Sequence, residues 1–198
     1  MERINKTEYI VAMSGTSGSV YAVRLVTELL SRGYYLHLIL SDMGQNGNLS
    51  ESGQPTEQWI DELSKRYSGQ LKISDNHDPD AEIGKNSYLW DGMIIVPCSM
   101  TTVAQVAHGV RETLTLNCAD TCIKQHRNLI VVPRETPLTQ VHLENMLTLA
   151  KAGVQIIPAM PVITQKPTSF TDMVDFMVGK ILDGLGIENA LVGRGKGL

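Results

Sequence analysis

Short runs of consecutive apolar residues rich in Ile and Val recur along this chain, and each precedes a longer stretch with helical periodicity. The runs are 9–13, 34–40, 93–96, 129–132 and 154–157, and several are apolar at successive positions instead of alternating. A strand buried on both faces reads in this way, whereas a strand with one wet face alternates. Between the runs, Val20, Val23, Leu25, Val26 and Leu30 recur at helical spacing, with Gly33 placed to end the helix. Further helices are predicted over 58–67, 103–110, 116–126, 139–152 and 169–185. Strands that alternate with helices require right-handed crossovers. The expected fold is therefore α/β, a Rossmann-like or flavodoxin-like three-layer sandwich around a central parallel sheet, in a single domain over 1–198.

Composition removes several classes of function. Lys and Arg number 17 against 21 Asp and Glu, a formal charge of −4, which argues against a nucleic-acid partner. No apolar run approaches the ~20 residues of a membrane helix, so no membrane partner is expected. No apolar segment before Gly15 is long enough for a signal core, and three cysteines cannot all pair within one chain. A cytoplasmic protein is expected. Two polar stretches, 41–57 and 74–86, read as surface loops, the first long enough for a lid. Gly193, Gly195 and Gly197 suggest a mobile tail.

In an open parallel sheet, ligands bind beyond the carboxyl ends of the strands, near the switch in strand order. The first run is followed by Ser14-Gly15-Thr16-Ser17-Gly18, the second by Ser41, and the third by Pro97-Cys98-Ser99-Met100-Thr101-Thr102. The fourth leads into Pro133-Arg134-Glu135-Thr136-Pro137, and the fifth into Pro158-Ala159-Met160-Pro161. Small residues, hydroxyls and helix N-terminal amides suit a phosphate. The first loop is neither G-x-G-x-x-G nor a Walker A sequence, and taken alone it is equally a tight turn. Together the five loops place hydroxyls and one arginine on one edge, favouring a phosphorylated ligand over a metal centre. Cys118, Cys122 and His126, at i, i+4 and i+8, read as packing residues and a surface His, and Cys98 as core. His142 reads as structural or interfacial, and His108 and His37 carry no signal. Lys124 and Lys180 are equally readable as solvated helix residues.

GTSG after the first run, PCSM with two threonines after the third, and above all PRETPL followed by HLENML resemble the UbiX/Pad family of flavoproteins. The resemblance extends from Tyr9 to Ile187 and includes Cys118-Ala119-Asp120 and the KILDGLGI segment. It implies a flavin prenyltransferase: FMN is bound, and a dimethylallyl group is transferred to it from dimethylallyl phosphate without a metal. The product, prenylated FMN, would serve a UbiD-type decarboxylase. By resemblance, Gly15, Thr16, Ser17, Ser41, Ser99, Met100, Thr101, Thr102 and Arg134 would bind FMN. Ser17 and Glu135 would be catalytic, and Lys124, Thr164 and Lys180 would contact the prenyl phosphate. The family assembles as homo-oligomers, trimers or dodecamers, with sites between subunits. Four positions depart from its pattern: Thr101 replaces a lysine, Asn117 an arginine, Thr164 a tyrosine and Gly195 a tryptophan. The chain could therefore instead be an FMN-binding paralogue without prenyl transfer, or an FMN-dependent decarboxylase of the wider group.

Overall fold

The computed structural model describes residues 6–15, 17–42, 51, 53–78, 80–163 and 166–192. Six strands form one parallel sheet: β1 (Glu8–Met13), β2 (Tyr35–Leu40), β3 (Leu71–Asp75), β4 (Gly92–Cys98), β5 (Asn128–Pro133) and β6 (Gln155–Ile156). Their order is β3-β2-β1-β4-β5-β6. The chain thus winds outward from β1 to β3, then returns to the centre as β4 and winds the other way. The reversal lies between β1 and β4, paired with Val11 opposite Ile94.

Helices cover both faces, which explains the consecutive apolar runs. Val11 and Met13 of β1 join one core with α1 (Ser19–Ser31), α2 (Thr56–Arg66) and α6 (Phe170–Gly184). Ile10 and Ala12, their neighbours in sequence, join a second core with α3 (Met100–Ala107), α4 (Leu114–Lys124) and α5 (Gln140–Lys151). In β4 the division repeats, with Ile94 and Val96 on the first face and Met93 and Ile95 on the second. Each such aliphatic side chain contributes about 1.5–3 kcal/mol by leaving water.

Three sequence expectations change. A strand, β3, occupies 71–75, and the end of the region read as a loop holds a 3-10 turn at Glu82–Gly84. As an edge strand β3 is half exposed, so LKISD lacks the apolar run of its neighbours. The helix expected at 103–110 begins earlier, at Met100, because Ser99 Oγ accepts from the Thr102 amide at 3.1 Å and caps it. In the expected 41–57 loop, 43–50 and Ser52 lie outside the described residues, while α2 already starts at Thr56. No described helix is long and apolar enough to cross a membrane.

Candidate functional site

At the switch point the ends of β1 and β4 are tied together. The Ser14 amide donates to the Pro97 carbonyl at 3.1 Å. Ser14 Oγ accepts from the Ser99 amide at 3.1 Å. Gly15 follows, and a Cβ there would stand 4.0 Å from both Pro97 Cγ and Ser99 Cβ, so the glycine leaves a little open wall. Gly18 has φ +91°, a left-handed conformation that favours glycine, and a Cβ would lie 3.3 Å from Pro97 Cβ.

Two amides at the start of α1 are already engaged within the protein. The Glu51 carboxylate accepts from the Gly18 amide at 2.7 Å, from the Val20 amide at 3.4 Å and from Ser19 Oγ. A carboxylate at a helix N-terminus satisfies both orphan donors and the helix dipole. Glu51 thus occupies two of the amides beyond the first loop, while Gly15 and Ser17 of that loop face a cleft. α3 is different. Its cap is Ser99, and helical geometry leaves the Met100 and Thr101 amides without an intrahelical acceptor.

A cleft of about 610 Å³ opens beside these amides, lined by Gly15, Ser17, Cys98, Ser99, Met100, Thr101, Arg134, Glu135, Val141, His142 and Asn145 among others. Its size lies within the ~300–1,000 Å³ of small-molecule sites. A second cleft, about 420 Å³, adjoins it and is lined by Pro133, Arg134, Glu135, Thr136, Leu138, Met146, Pro158, Ala159 and Met160. Arg134 and Glu135 belong to both walls. The first cleft carries hydroxyls and amides; the second is mostly aliphatic.

Of the FMN-binding residues expected from sequence, Gly15, Ser17, Ser99, Met100, Thr101 and Arg134 share the larger cleft, joined by Glu135. Two stand off its wall. Thr102 is buried, with its Oγ1 3.0 Å from Ser99 Oγ, and serves the helix cap. Ser41 follows β2, its amide donating to the Met13 carbonyl at 3.0 Å, one strand away from the switch point. Thr16 and Thr164 lie outside the described residues.

Lys124 and Lys180 are not brought to the cleft within one chain. Lys124 sits in the last turn of α4, which leads into the amino end of β5. Lys180 sits in the second half of α6, whose last carbonyl, that of Gly184, accepts from Asn128 at the start of β5. Both therefore lie toward the amino edge of the sheet, opposite the site. Lys124 pairs with Asp120 at 2.9 Å, and Lys180 lies 3.7 Å from Asp183. The neighbouring Gln125 and Arg127 side chains bond the Asn86 and Tyr88 carbonyls, just before β4 begins. Asn117 is held in place as well: its Nδ2 donates to the Gly84 carbonyl at 2.9 Å, and its Oδ1 accepts from Arg111.

The HLENML motif supplies two residues of the cleft wall, and other groups lie near it. His142 both closes the cap of α5, accepting the Thr139 amide at 3.3 Å, and lines the cleft. Asn145 is buried on the same helix. Tyr21, in the first turns of α1, is buried, which raises its phenol pKa; nearby Glu51 raises it further and Arg134 lowers it. Burial pushes the Cys98 thiol up to about 12, leaving it protonated beside the cleft.

A family model described as Flavoprotein matches residues 1–182. A flavin prenyltransferase UbiX from Halalkalibacterium halodurans is 43% identical over 194 residues, covering 96% of this chain and 94% of that protein. The chain belongs to the UbiX flavin prenyltransferase family. A crystal structure of a UbiX protein, AnUbiX (PadA1), in complex with FMN and dimethylallyl pyrophosphate matches with a TM-score of 0.89 and 29% identity, covering 98% of this chain and 100% of that one. The dodecameric FMN-dependent UbiX-like decarboxylase from Escherichia coli O157:H7 matches with a TM-score of 0.86 and 32% identity, over 96% of this chain and 100% of that one. The site found here fits the ligand chemistry of the UbiX family: open helix amides, hydroxyls and Arg134 suit a flavin phosphate, and an aliphatic cleft across the Arg134–Glu135 ridge suits an allylic chain.

Proposed function

We infer that this chain binds FMN in the larger cleft and transfers a dimethylallyl group to the reduced flavin from dimethylallyl phosphate, or from the diphosphate as a second donor. The observation that carries this reading is that Arg134 and Glu135 belong both to a hydroxyl-bearing cleft and to a mostly aliphatic one. When bound, reduced flavin supplies the nucleophile for the allylic carbon. Arg134 offers a fixed cation to the phosphate that departs, and that charge counts most when it develops in a partly desolvated cleft. The aliphatic wall of Leu138, Met146 and Met160 takes the hydrocarbon and excludes water. Glu135, which accepts the Thr136 amide at 3.0 Å and is held there, is placed to take the proton lost on ring closure. Ser17, on the same cleft, is placed to relay it.

Lys124 and Lys180 are proposed as prenyl-phosphate contacts supplied by neighbouring copies of the chain, in a trimer or dodecamer, and Thr164 as a further contact to the same phosphate. Helix α5 supports self-association beside the site, since Val141, Leu143 and Leu147 are all more than half exposed there. A UbiD-type decarboxylase is the proposed recipient of the product. The cysteines at 98, 118 and 122 are all free, as suits the reducing cytoplasm.

The test is anaerobic incubation of the protein with reduced FMN and each donor in turn, followed by mass spectrometry of the flavin. A mass gain of one dimethylallyl group is expected. Bound but unmodified FMN, beside an active relative as control, would overturn transfer and leave a flavin-binding paralogue, the reading favoured by the fully engaged Asn117 amide.

A further inference from the structure

On the wall of the larger cleft is an amide side chain whose orientation is set by a residue outside it. Asn145, on α5, lines the cleft and is only 7% exposed. Its Oδ1 lies 3.2 Å from Nε2 of His108, the residue that closes the C-terminal end of α3. His108 itself is not on the cleft wall.

A carboxamide has one acceptor end and one donor end, and rotation by half a turn exchanges them. A proton on His108 Nε2 selects the acceptor end, whether the ring is the neutral Nε2–H tautomer or the cation. Nδ2 is then the end left for a ligand, and the one Asn145 side-chain hydrogen bond found among the described residues is made by Oδ1. A donor fixed in this sense on the cleft wall is preorganised for an acceptor atom of a bound molecule.

We propose that Asn145 is a flavin-contact residue that donates from Nδ2 to an acceptor oxygen of FMN, and that His108 is a positioning residue that holds the amide in this sense. This rests on the FMN reading above. The acceptor is either a carbonyl of the flavin ring or an oxygen of the phosphate, and both present the same hydrogen-bonding chemistry.

The experiment titrates the apoprotein with FMN and with riboflavin, following the visible absorption of the flavin, with thermal melts as a check on folding. Asn145→Asp keeps the shape but replaces the donor with a charged acceptor, and Asn145→Ala removes both ends. Each is expected to weaken FMN by about tenfold or more, a hydrogen bond's worth of affinity. His108→Phe is expected to weaken it about threefold, because the amide is then free to turn, and His108→Gln, which keeps an N–H donor, restores it. In the Asn145→Ala background His108→Phe has no further effect on affinity. Loss for both flavins with a shifted absorption band assigns the ring, and loss for FMN alone assigns the phosphate. FMN affinity and spectrum unchanged in both Asn145 variants would overturn the inference while leaving FMN binding intact. A His108→Phe effect that persists in the Asn145→Ala background would overturn the positioning role. Failure of the wild-type protein to bind FMN would overturn the flavin reading itself.

Discussion

Ser14 and Ser99 are bonded across the point where the strand order reverses, the Ser99 amide donating to Ser14 Oγ at 3.1 Å. One hydroxyl therefore sets how far the β1 loop stands from the start of α3, the two elements that shape the cleft. Ser14→Ala leaves the Ser99 amide without its acceptor. Urea unfolding is expected to show a loss of about 1–3 kcal/mol, with weaker FMN binding. A loss within about 0.5 kcal/mol would show that the bond is dispensable.

Glu51 does for α1 what Ser99 does for α3. Its carboxylate accepts from the Gly18 and Val20 amides, so Glu51→Ala uncaps the helix. Stability is expected to fall by about 1 kcal/mol, and Glu51→Gln should recover part of it, since an amide oxygen still accepts but carries no charge to the helix dipole.

Much of this arrangement was legible in the chain. β1, β2, β4 and β5 announce themselves because both faces are covered, and the residues after β1, β4 and β5 meet in one cleft as the switch-point rule requires. β3 did not announce itself, because an edge strand with a single Ile needs no apolar run. Lys124 and Lys180 were expected at the prenyl phosphate by resemblance, and within one chain they lie away from the cleft, so that role depends on the assembly, which a single sequence does not spell out. Asn145 stands in the HLENML motif, but its partner His108 lies 37 residues away and carried no signal, so the contact between them was not legible.

The cysteines give a chemical prediction. Burial pushes the thiols of Cys98 and Cys118 up to about 12 and that of Cys122 higher still. Only thiolate alkylates at a useful rate, so near neutral pH all three should resist iodoacetamide in the folded protein, Cys98 included although it borders the cleft. Mass spectrometry should find three adducts only after denaturation. Rapid single labelling of the native protein would show that Cys98 is far more accessible than its packing implies.

Glu28 on α1 should make stability depend on acidity. Burial alone would raise its carboxyl pKa, but hydrogen bonds and charge from Arg24 and Arg32 outweigh burial and hold it below the ordinary 4.5. A depressed folded pKa means the unfolded chain takes up the proton first as pH drops. The stabilisation is thus complete above the ordinary carboxylate range and lost as pH falls through the folded value. Glu28→Gln should be less stable than wild type at pH 7, and the two denaturation curves should converge in acid. An undiminished gap at the lowest workable pH would place the effect in packing instead of charge.

Arg134 and Glu135 separate binding from chemistry. Arg134→Ala removes the cation shared by the two clefts and should weaken both FMN and the prenyl donor, whereas Arg134→Lys keeps the charge but not the fork that grips two oxygens at once, and should recover only part. Glu135→Gln keeps the shape and loses the base, so FMN affinity should stay within about twofold of wild type while the rate of prenyl transfer falls by roughly a hundredfold. Equilibrium titration against single-turnover mass spectrometry distinguishes the two effects. If Glu135→Gln transfers at the wild-type rate, the proton leaves by another route and the ridge is there for binding alone. If it loses FMN as severely as Arg134→Ala does, the carboxylate holds the arginine in place and is not the base.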